Sequence, residues 1–341
     1  MADLQGDCQR ARRGIELSGA GVGATLSSGT LGRAPDLVIL GQITIDDVVP
    51  ASPGAWQRQI GGSSLYCLAG AKLWLDADRI GLVARLGRDY PFDIEALLRQ
   101  AQVRHYSLAR FDAEHLIEWL IYEPDGSRRS VPRNTDLLDV SAEGAADMRP
   151  YLRKLLEIAP AATEIPEHWL PARALHLCPQ VGQRHADNLL WLRDRADWIS
   201  VDPSPHYSRG RSAAELVRFV EGASALLPST LELRTQLRDV PAELLVMQLH
   251  QGGIPEVVLK RAELPVVLAH DRALQLLPID PCPVVDPTGA GDSFCGAYAA
   301  CRLLGHSPLD AAQRAAITAA LVVGCSGVAA ALALQRPPGW T

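Results

Sequence analysis

Residues 284–299 read VVDPTGAGDSFCGAYA. Two strand-type valines run into Asp286 and Pro287, and Thr288-Gly289-Ala290-Gly291-Asp292 then opens a helix expected over Ser293–Leu304. Small residues in such a loop let backbone N–H groups approach an anion, and the helix N-terminus behind them adds partial positive charge. Asp292 falls in the first helical turn, beside that anion site. A carboxylate next to a phosphate cradle can take the proton from a hydroxyl that attacks phosphorus. Gly291 stands where backbone must meet phosphate, and that position is expected to need the conformational freedom of glycine. The bland alternative is an aspartate that caps a helix after a glycine turn. An Asp at each end of a loop with two glycines around one alanine argues against it.

Such a loop has to be held at the end of a strand, and the chain supplies strands and helices in alternation. LVIL (37–40) reads as a buried strand, 63–75 as a helix, 80–84 as a strand and 91–101 as a helix. From 174 onward strands at 174–177, 198–201, 225–227 and 257–259 alternate with helices at 182–195, 212–221, 230–238 and 241–250. This alternation predicts an α/β fold with a mostly parallel central sheet flanked by helices. Extra extended pieces within about 43–60 and 103–131, the latter turning at Pro124-Asp125-Gly126, predict a small separate β layer.

Composition bounds the rest. With 341 residues, 48% hydrophobic and 21% charged, the chain is globular and has ample material for a core. A net charge of −6 argues against nucleic acid as partner. Residues 1–35 carry Arg10, Arg12 and Arg13 and a Gly/Ser/Ala stretch without the leucine-rich core of a signal peptide, and read as a flexible extension ahead of one domain over 36–341. GAGVG within that extension has neither a preceding strand nor the G-x-G-x-x-G spacing of a nucleotide fingerprint. Residues 315–334 are free of charge and long enough to span a membrane, but their alanine content and the GCSG break predict buried helices instead. Seven cysteines without a CxxC pair point to a reducing, cytoplasmic setting. The histidines at 168, 176, 185, 206 and 250 lack close metal-ligand spacing in sequence and read as structural or surface residues. No G-x-x-x-x-G-K-[ST] occurs, which excludes a P-loop enzyme.

DPTGAGD resembles the C-terminal signature of the ribokinase-like (pfkB) carbohydrate and nucleoside kinases, and the order of other segments extends the resemblance over about 36–330. The resemblance implies an ATP-dependent kinase that phosphorylates a hydroxyl of a sugar, sugar alcohol or nucleoside, with a small β lid over its substrate. It implies Asp292 as catalytic base, Gly289, Ala290 and Gly291 with Thr288 as the anion hole for the ATP phosphates, and Asp286 with Thr288 beside a monovalent-cation (K⁺) site. LGQITIDDVV (40–49) resembles the family strand whose Asp binds substrate hydroxyls, here Asp46, or Asp47 if the register slips by one. IGGSSLYCLAGAKLW (60–74) resembles the family's Gly-Gly segment, so Gly61 and Gly62 are expected to let backbone approach the substrate. A homodimer joined through the lid is a further expectation.

Three departures qualify the match. Tyr66 stands where many members carry Asn, replacing an amide that pairs with hydroxyls by a ring with one hydroxyl. Plain ribose and fructose are therefore expected to be poor substrates. In LLPSTLELRTQL (226–237) the Asn of the family's Asn-x-x-Glu is Ser229, while Glu232 remains to orient the waters around Mg²⁺. In VVLKRAELPVVLA (257–269) the turn glycines are replaced by Arg261 and Leu264, and either Lys260 or Arg261 could supply positive charge to a phosphate or simply occupy an exposed turn. These departures motivate an alternative of another class, a catalytically weak member that binds a sugar or nucleoside as a sensor. Trp119, on the lid hairpin, either packs or faces substrate; Arg128 and Arg129 read as solvated.

Overall fold

Short runs rich in Leu, Val and Ile become the strands of two sheets in the computed structural model, which describes residues 26–27, 33–49, 56–122, 128–132 and 149–339. The early strands are β1 (Leu26–Ser27), β2 (Leu37–Leu40), β3 (Thr44–Val49), β4 (Gln57–Gly61), β5 (Ile80–Gly87), β6 (His105–Phe111), β7 (Ile117–Tyr122) and β8 (Arg128–Pro132). They are followed by β9 (Ala174–Leu177), β10 (Ile199–Val201), β11 (Ala225–Leu226), β12 (Glu256–Leu259), β13 (Val266–His270) and β14 (Ala273–Leu277). The helices are α1 (Ser63–Lys72), α2 (Ile94–Gln100), α3 (Arg149–Ile158), α4 (Gly182–Leu192), α5 (Pro205–Ser208), α6 (Ala213–Phe219), α7 (Ala242–Gln251), α8 (Ala290–Leu303), α9 (Pro308–Val323) and α10 (Gly327–Ala333).

The large sheet has the order β1-β6-β5-β2-β9-β10-β11-β12-β13-β14. Every neighbouring pair from β6 to β12 is parallel, and antiparallel β1, β13 and β14 complete the edges. Both faces are covered, as a parallel sheet requires. On β2, Leu37 and Ile39 join a core with α1, α8 and α9, while Val38 and Leu40 join a second core with α4, α6 and α7. The small sheet β4-β3-β7-β8 is the lid.

One part of the expected lid belongs elsewhere. β6, inside the 103–131 segment, pairs in parallel with β5 along seven residues and belongs to the large sheet, one strand in from its β1 edge. The β5–α2–β6 order is an ordinary crossover unit, and residues 106–109 are buried consecutively, as a strand covered on both faces should be. Only β7 and β8 from that segment reach the lid. Two residues of the presumed extension, β1, pair with β6; the GAGVG stretch and the Pro124-Asp125-Gly126 turn lie outside the described residues. The helix expected over 230–238 is a turn followed by one 3-10 turn at Gln236–Arg238. The charge-free stretch at 315–334 is the end of α9, a break at Gly324, and α10; among the described residues no helix is long and apolar enough to cross a membrane.

α1 and α8 cross at glycines. A Cβ on Gly70 would lie 2.0 Å from the Ser293 carbonyl oxygen, and one on Gly296 would lie 1.8 Å from that of Cys67. Neither position accepts even a methyl group without moving backbone. This contact draws together the starts of the two helices, which carry Tyr66 and Asp292.

Candidate active site

The C-terminal ends of β2, β9, β10 and β12 open into a cavity of about 520 Å³ beneath the lid. Ligands of open α/β sheets bind at this edge. The lining includes Asp46, Gly62, Tyr66, Glu232, Thr288, Gly289, Ala290, Gly291 and Asp292, so residues spread over nearly 250 positions of sequence meet in one place. Gly61 and Asp286 are outside that lining and contact it through Asp46 and Thr288.

One end of the cavity, the end the sequence marks for phosphate, is built from the DPTGAGD loop. Gly289 caps α8 in the left-handed region, with φ at 78°, a conformation that costs glycine little. The Tyr66 ring lies against its Cα, where a Cβ would be 2.1 Å away. Gly291 differs from expectation. Its φ is not positive, and a Cβ there would meet only the Lys260 side chain, Nζ at 3.5 Å and Cε at 3.9 Å. The backbone requirement therefore falls on Gly289, and Gly291 keeps the cavity open. Asp286 braces the loop: its Oδ1 accepts from the Thr288 N–H at 2.9 Å and from the Tyr122 hydroxyl at 3.0 Å. Tyr122 also pairs with the Thr288 hydroxyl, tying lid strand β7 to the loop. Asp292 is half-buried in the first turn of α8 and faces the cavity.

Beneath this loop lies a buried ion pair, Lys260 with Asp202, at 2.8 Å. Lys260 Nζ also donates to the Gly291 carbonyl at 3.5 Å and contacts Cys295 Sγ at 3.1 Å. Of the two readings left open for this turn, Lys260 is buried and lines the cavity, whereas Arg261 bonds Glu243 at 3.3 Å and Leu264 is exposed. Burial lifts the Asp202 carboxyl to about 7 despite the pull of Lys260, and its Oδ1 has no hydrogen-bond partner among the described residues. Glu232 sits on the same side. Its Oε2 accepts the Ser229 N–H at 2.5 Å, and the segment is held to Lys260 by the Lys260 N–H to Pro228 carbonyl bond at 2.8 Å.

The other end of the cavity is built from the lid and α3. Strand alternation settles the pair of aspartates. Asp46 turns into the cavity, where Thr44 Oγ1 donates to it at 2.7 Å, and Asp47 turns outward into a two-bond pair with Arg58 at 2.8 and 2.9 Å. Gly61 has a different reason from the one expected. The Asp46 carboxylate lies directly over its Cα, 1.9 Å from where a Cβ would be, so Gly61 makes room for Asp46. Gly62, with φ at 113°, lies so close to Gln42 and Ile43 that a Cβ would come within 2.6 Å of both. Glu118 stands opposite Asp46 on β7 and accepts from the Tyr151 hydroxyl at 2.5 Å. The Tyr151 and His206 rings meet edge-on at 5.6 Å on the cavity wall. Tyr66 is buried, and desolvation together with the nearby Asp286 and Asp46 holds its hydroxyl protonated far above the usual range. Trp119 points the other way, onto Trp56 at 5.1 Å on the outer face of the lid.

Asp202, Glu118, Tyr151 and His206 escape the sequence reading. Asp202 directly follows a strand, the position that faces a site in this kind of sheet. Tyr151, Leu155 and Ile158, at helical spacing, are the buried stripe of α3 in a stretch that carries no other signal.

A glycine-capped helix N-terminus, a carboxylate in its first turn and a lidded polar pocket define a phosphotransferase with an alcohol acceptor. The model of the pfkB family carbohydrate kinases matches residues 134–334, and the chain belongs to that family. A cytidine kinase of Thermococcus kodakarensis is 29% identical over 280 residues, 78% of this chain and 87% of that one. Among solved structures, a fructokinase of Xylella fastidiosa with bound ATP superposes with a TM-score of 0.66 at 18% identity, covering 87% of this chain and 94% of that one. An E. coli protein in complex with ATP and Mg²⁺ superposes at 0.60 with 20% identity, covering 86% and 94%. At these identities the two structures establish the ribokinase-like fold.

Proposed function

We propose that the protein transfers the γ-phosphate of ATP to a hydroxyl of a nucleoside, with Asp292 as the general base. What carries the choice of acceptor is the wall where Asp46 and Glu118 stand beside the Tyr151–His206 ring pair. Two carboxylates suit the paired hydroxyls of a ribose, and the rings suit a flat base. The likeness to a cytidine kinase over most of both chains points the same way.

In this reading Asp292 accepts the proton of the attacking hydroxyl. The N–H groups at the start of α8 receive the phosphate, where the helix dipole favours negative charge. Lys260, anchored by Asp202, adds a fixed positive charge under the loop. The unpartnered Asp202 Oδ1 and the Glu232 carboxylate suit a hard divalent cation, so these two would hold Mg²⁺, directly or through water. Mg²⁺ bound there supplies neutralisation of phosphate charge. A monovalent cation beside Asp286 would share that carboxylate with Tyr122 and Thr288. The outer face of the lid, where Trp56 is 45% exposed, is compatible with a homodimer through the lid.

A coupled ADP-release assay with cytidine, other nucleosides, ribose and fructose tests the reading. At least about tenfold higher kcat/KM for a nucleoside is expected. Equal or better turnover of a free sugar rejects the nucleoside assignment.

A further inference from the structure

Behind the cavity, between α1, α8 and the sheet, three metal-ligating side chains lie together: Cys67 on α1, His176 on β9, and Cys178 just past its end. One ligand atom of each falls within 4.8 Å of the other two, and all three residues are fully buried. They come from segments more than a hundred residues apart, so linear spacing conceals them. Alternation along β9 puts His176 and Cys178 on one face, the face that meets α1.

The histidine is the informative member. Its Nδ1 lies 2.8 Å from Ser200 Oγ, while Nε2, equally buried, has no hydrogen-bond partner among the described residues. A buried imidazole nitrogen without a partner costs on the order of 1–3 kcal/mol. Phosphotransfer gives it no task. Burial, reinforced by the nearby Lys260 charge, holds the ring neutral, with its pKa down at about 3. The Cys67 thiol is likewise pushed up by burial and by its hydrogen bond with Cys178.

We propose that Cys67, Cys178 and the Nε2 of His176 form a buried site for a thiophilic divalent cation of the zinc type. Two thiolates and a neutral imidazole cancel the double positive charge, so the filled site brings no net charge into the core. Zn–S bonds of about 2.3 Å and a Zn–N bond of about 2.0 Å in tetrahedral directions set the ligand atoms roughly 3.5–3.8 Å apart. With every ligand atom already within 4.8 Å of the others, a contraction of no more than about 1 Å is needed, within reach of side-chain rotation. With the Nδ1 proton given to Ser200, the lone pair of Nε2 is left for the metal, the usual outer-shell arrangement for a ligating histidine. Binding breaks two S–H bonds, forms two metal–sulfur bonds and one metal–nitrogen bond, and releases two protons to solvent. The filled site would pin α1 to β9 one residue from Tyr66.

Titration of the reduced full-length protein with Co²⁺ tests the site. About one equivalent should bind with a thiolate-to-cobalt charge-transfer band, which Zn²⁺ abolishes by displacement. Cys67→Ser and Cys178→Ser should lose the band, and Cys301→Ser, a buried cysteine outside the cluster, should keep it. His176→Gln should weaken binding by about tenfold or more. Zn²⁺ should raise the melting temperature of the parent protein and leave that of Cys178→Ser unchanged. If the serine variants do not fold, the parent and the His176→Gln protein still decide. Absence of the band from folded parent protein, a band retained in His176→Gln at unchanged affinity, or a Cys67–Cys178 disulfide in freshly isolated protein overturns the proposal.

Discussion

The two ends of the cavity are made in different ways. The end proposed to receive phosphate is mainly backbone: a glycine in the left-handed region, a helix N-terminus, and an ion pair buried beneath them. The acceptor end is side chains contributed by the lid, α1, α3 and α5: Asp46, Glu118, Tyr66, Tyr151 and His206. Backbone geometry depends on a few small residues in one contiguous motif and tolerates little change. A wall of side chains can be altered one position at a time, and Tyr66, where the resemblance leads one to expect an amide, would be such an alteration. Chemistry should therefore be fixed at one end and acceptor choice adjustable at the other.

The strongest break is expected at the phosphate end. Asp292→Asn should lower kcat by roughly 10²–10⁴ and leave ATP affinity within a few-fold, measured by steady-state kinetics and nucleotide titration. Near-normal turnover would remove the base assignment. Next, Gly289→Ala places a methyl group in the Tyr66 ring and an L-residue at φ 78°, so activity should fall by about 10². Adding Tyr66→Ala relieves the clash and leaves the backbone strain. If the double variant recovers full activity, sterics alone govern that end.

pH acts with opposite sign on two buried groups, His115 at the base of the lid and Asp202 under the DPTGAGD loop. At the base of the lid, the Gly87 N–H donates 2.9 Å to His115 Nδ1, so its Nε2–H donates to the Ile43 carbonyl at 2.9 Å and the ring is neutral. Burial lowers its pKa to about 4, from 6.5 unfolded. The unfolded chain therefore binds the extra proton first, and stability is lost as pH falls from about 6.5 toward 4, by up to about 1.4 kcal/mol per unit. Asp202, raised to about 7, acts oppositely: the folded state holds the proton longer, and stability is lost as pH rises from about 4 to 7. Over their shared window of about pH 4 to 6.5 the two contributions oppose each other, so relative to the parent the urea midpoint should tilt downward with rising pH in His115→Gln and upward with rising pH in Asp202→Asn. Identical profiles for parent and variants would refute both assignments.

The smallest effect is expected at the acceptor end. Tyr66→Asn should shift kcat/KM toward ribose and fructose by about tenfold, or roughly 1.4 kcal/mol. Efficient turnover of a free sugar by the parent, unchanged in the variant, would mean that Tyr66 acts only as packing against Gly289.

The same contrast explains what the sequence discloses. A motif such as TGAGD carries its geometry in adjacent residues, and strands and helices of the sheet carry theirs in local periodicity. Asp46 and Asp47 needed only the strand register. The acceptor wall is different. Tyr151 and Glu118 meet through a hydrogen bond between α3 and β7, 33 positions apart, and nothing local announces it. Lys260 sits in a segment that reads equally as an exposed turn, and its burial follows from pairing with Asp202, 58 positions away. β6 has the look of a lid strand until its pairing with β5 is known, because a short strand does not declare its sheet.

The glycine crossing of α1 and α8 also bears on motion. With Gly70 and Gly296 each seated on the other helix's backbone, the floor that carries Tyr66 and Asp292 is expected to move as one rigid plate. Opening to admit substrate then cannot come from parting those helices. It must come from the small sheet, which joins the plate through Gln42-Ile43, Gly62 and the stretch before β7. The Tyr122 hydroxyl on Asp286 and Thr288 is its clasp, so each catalytic cycle would begin with the making of that contact and end with its breaking.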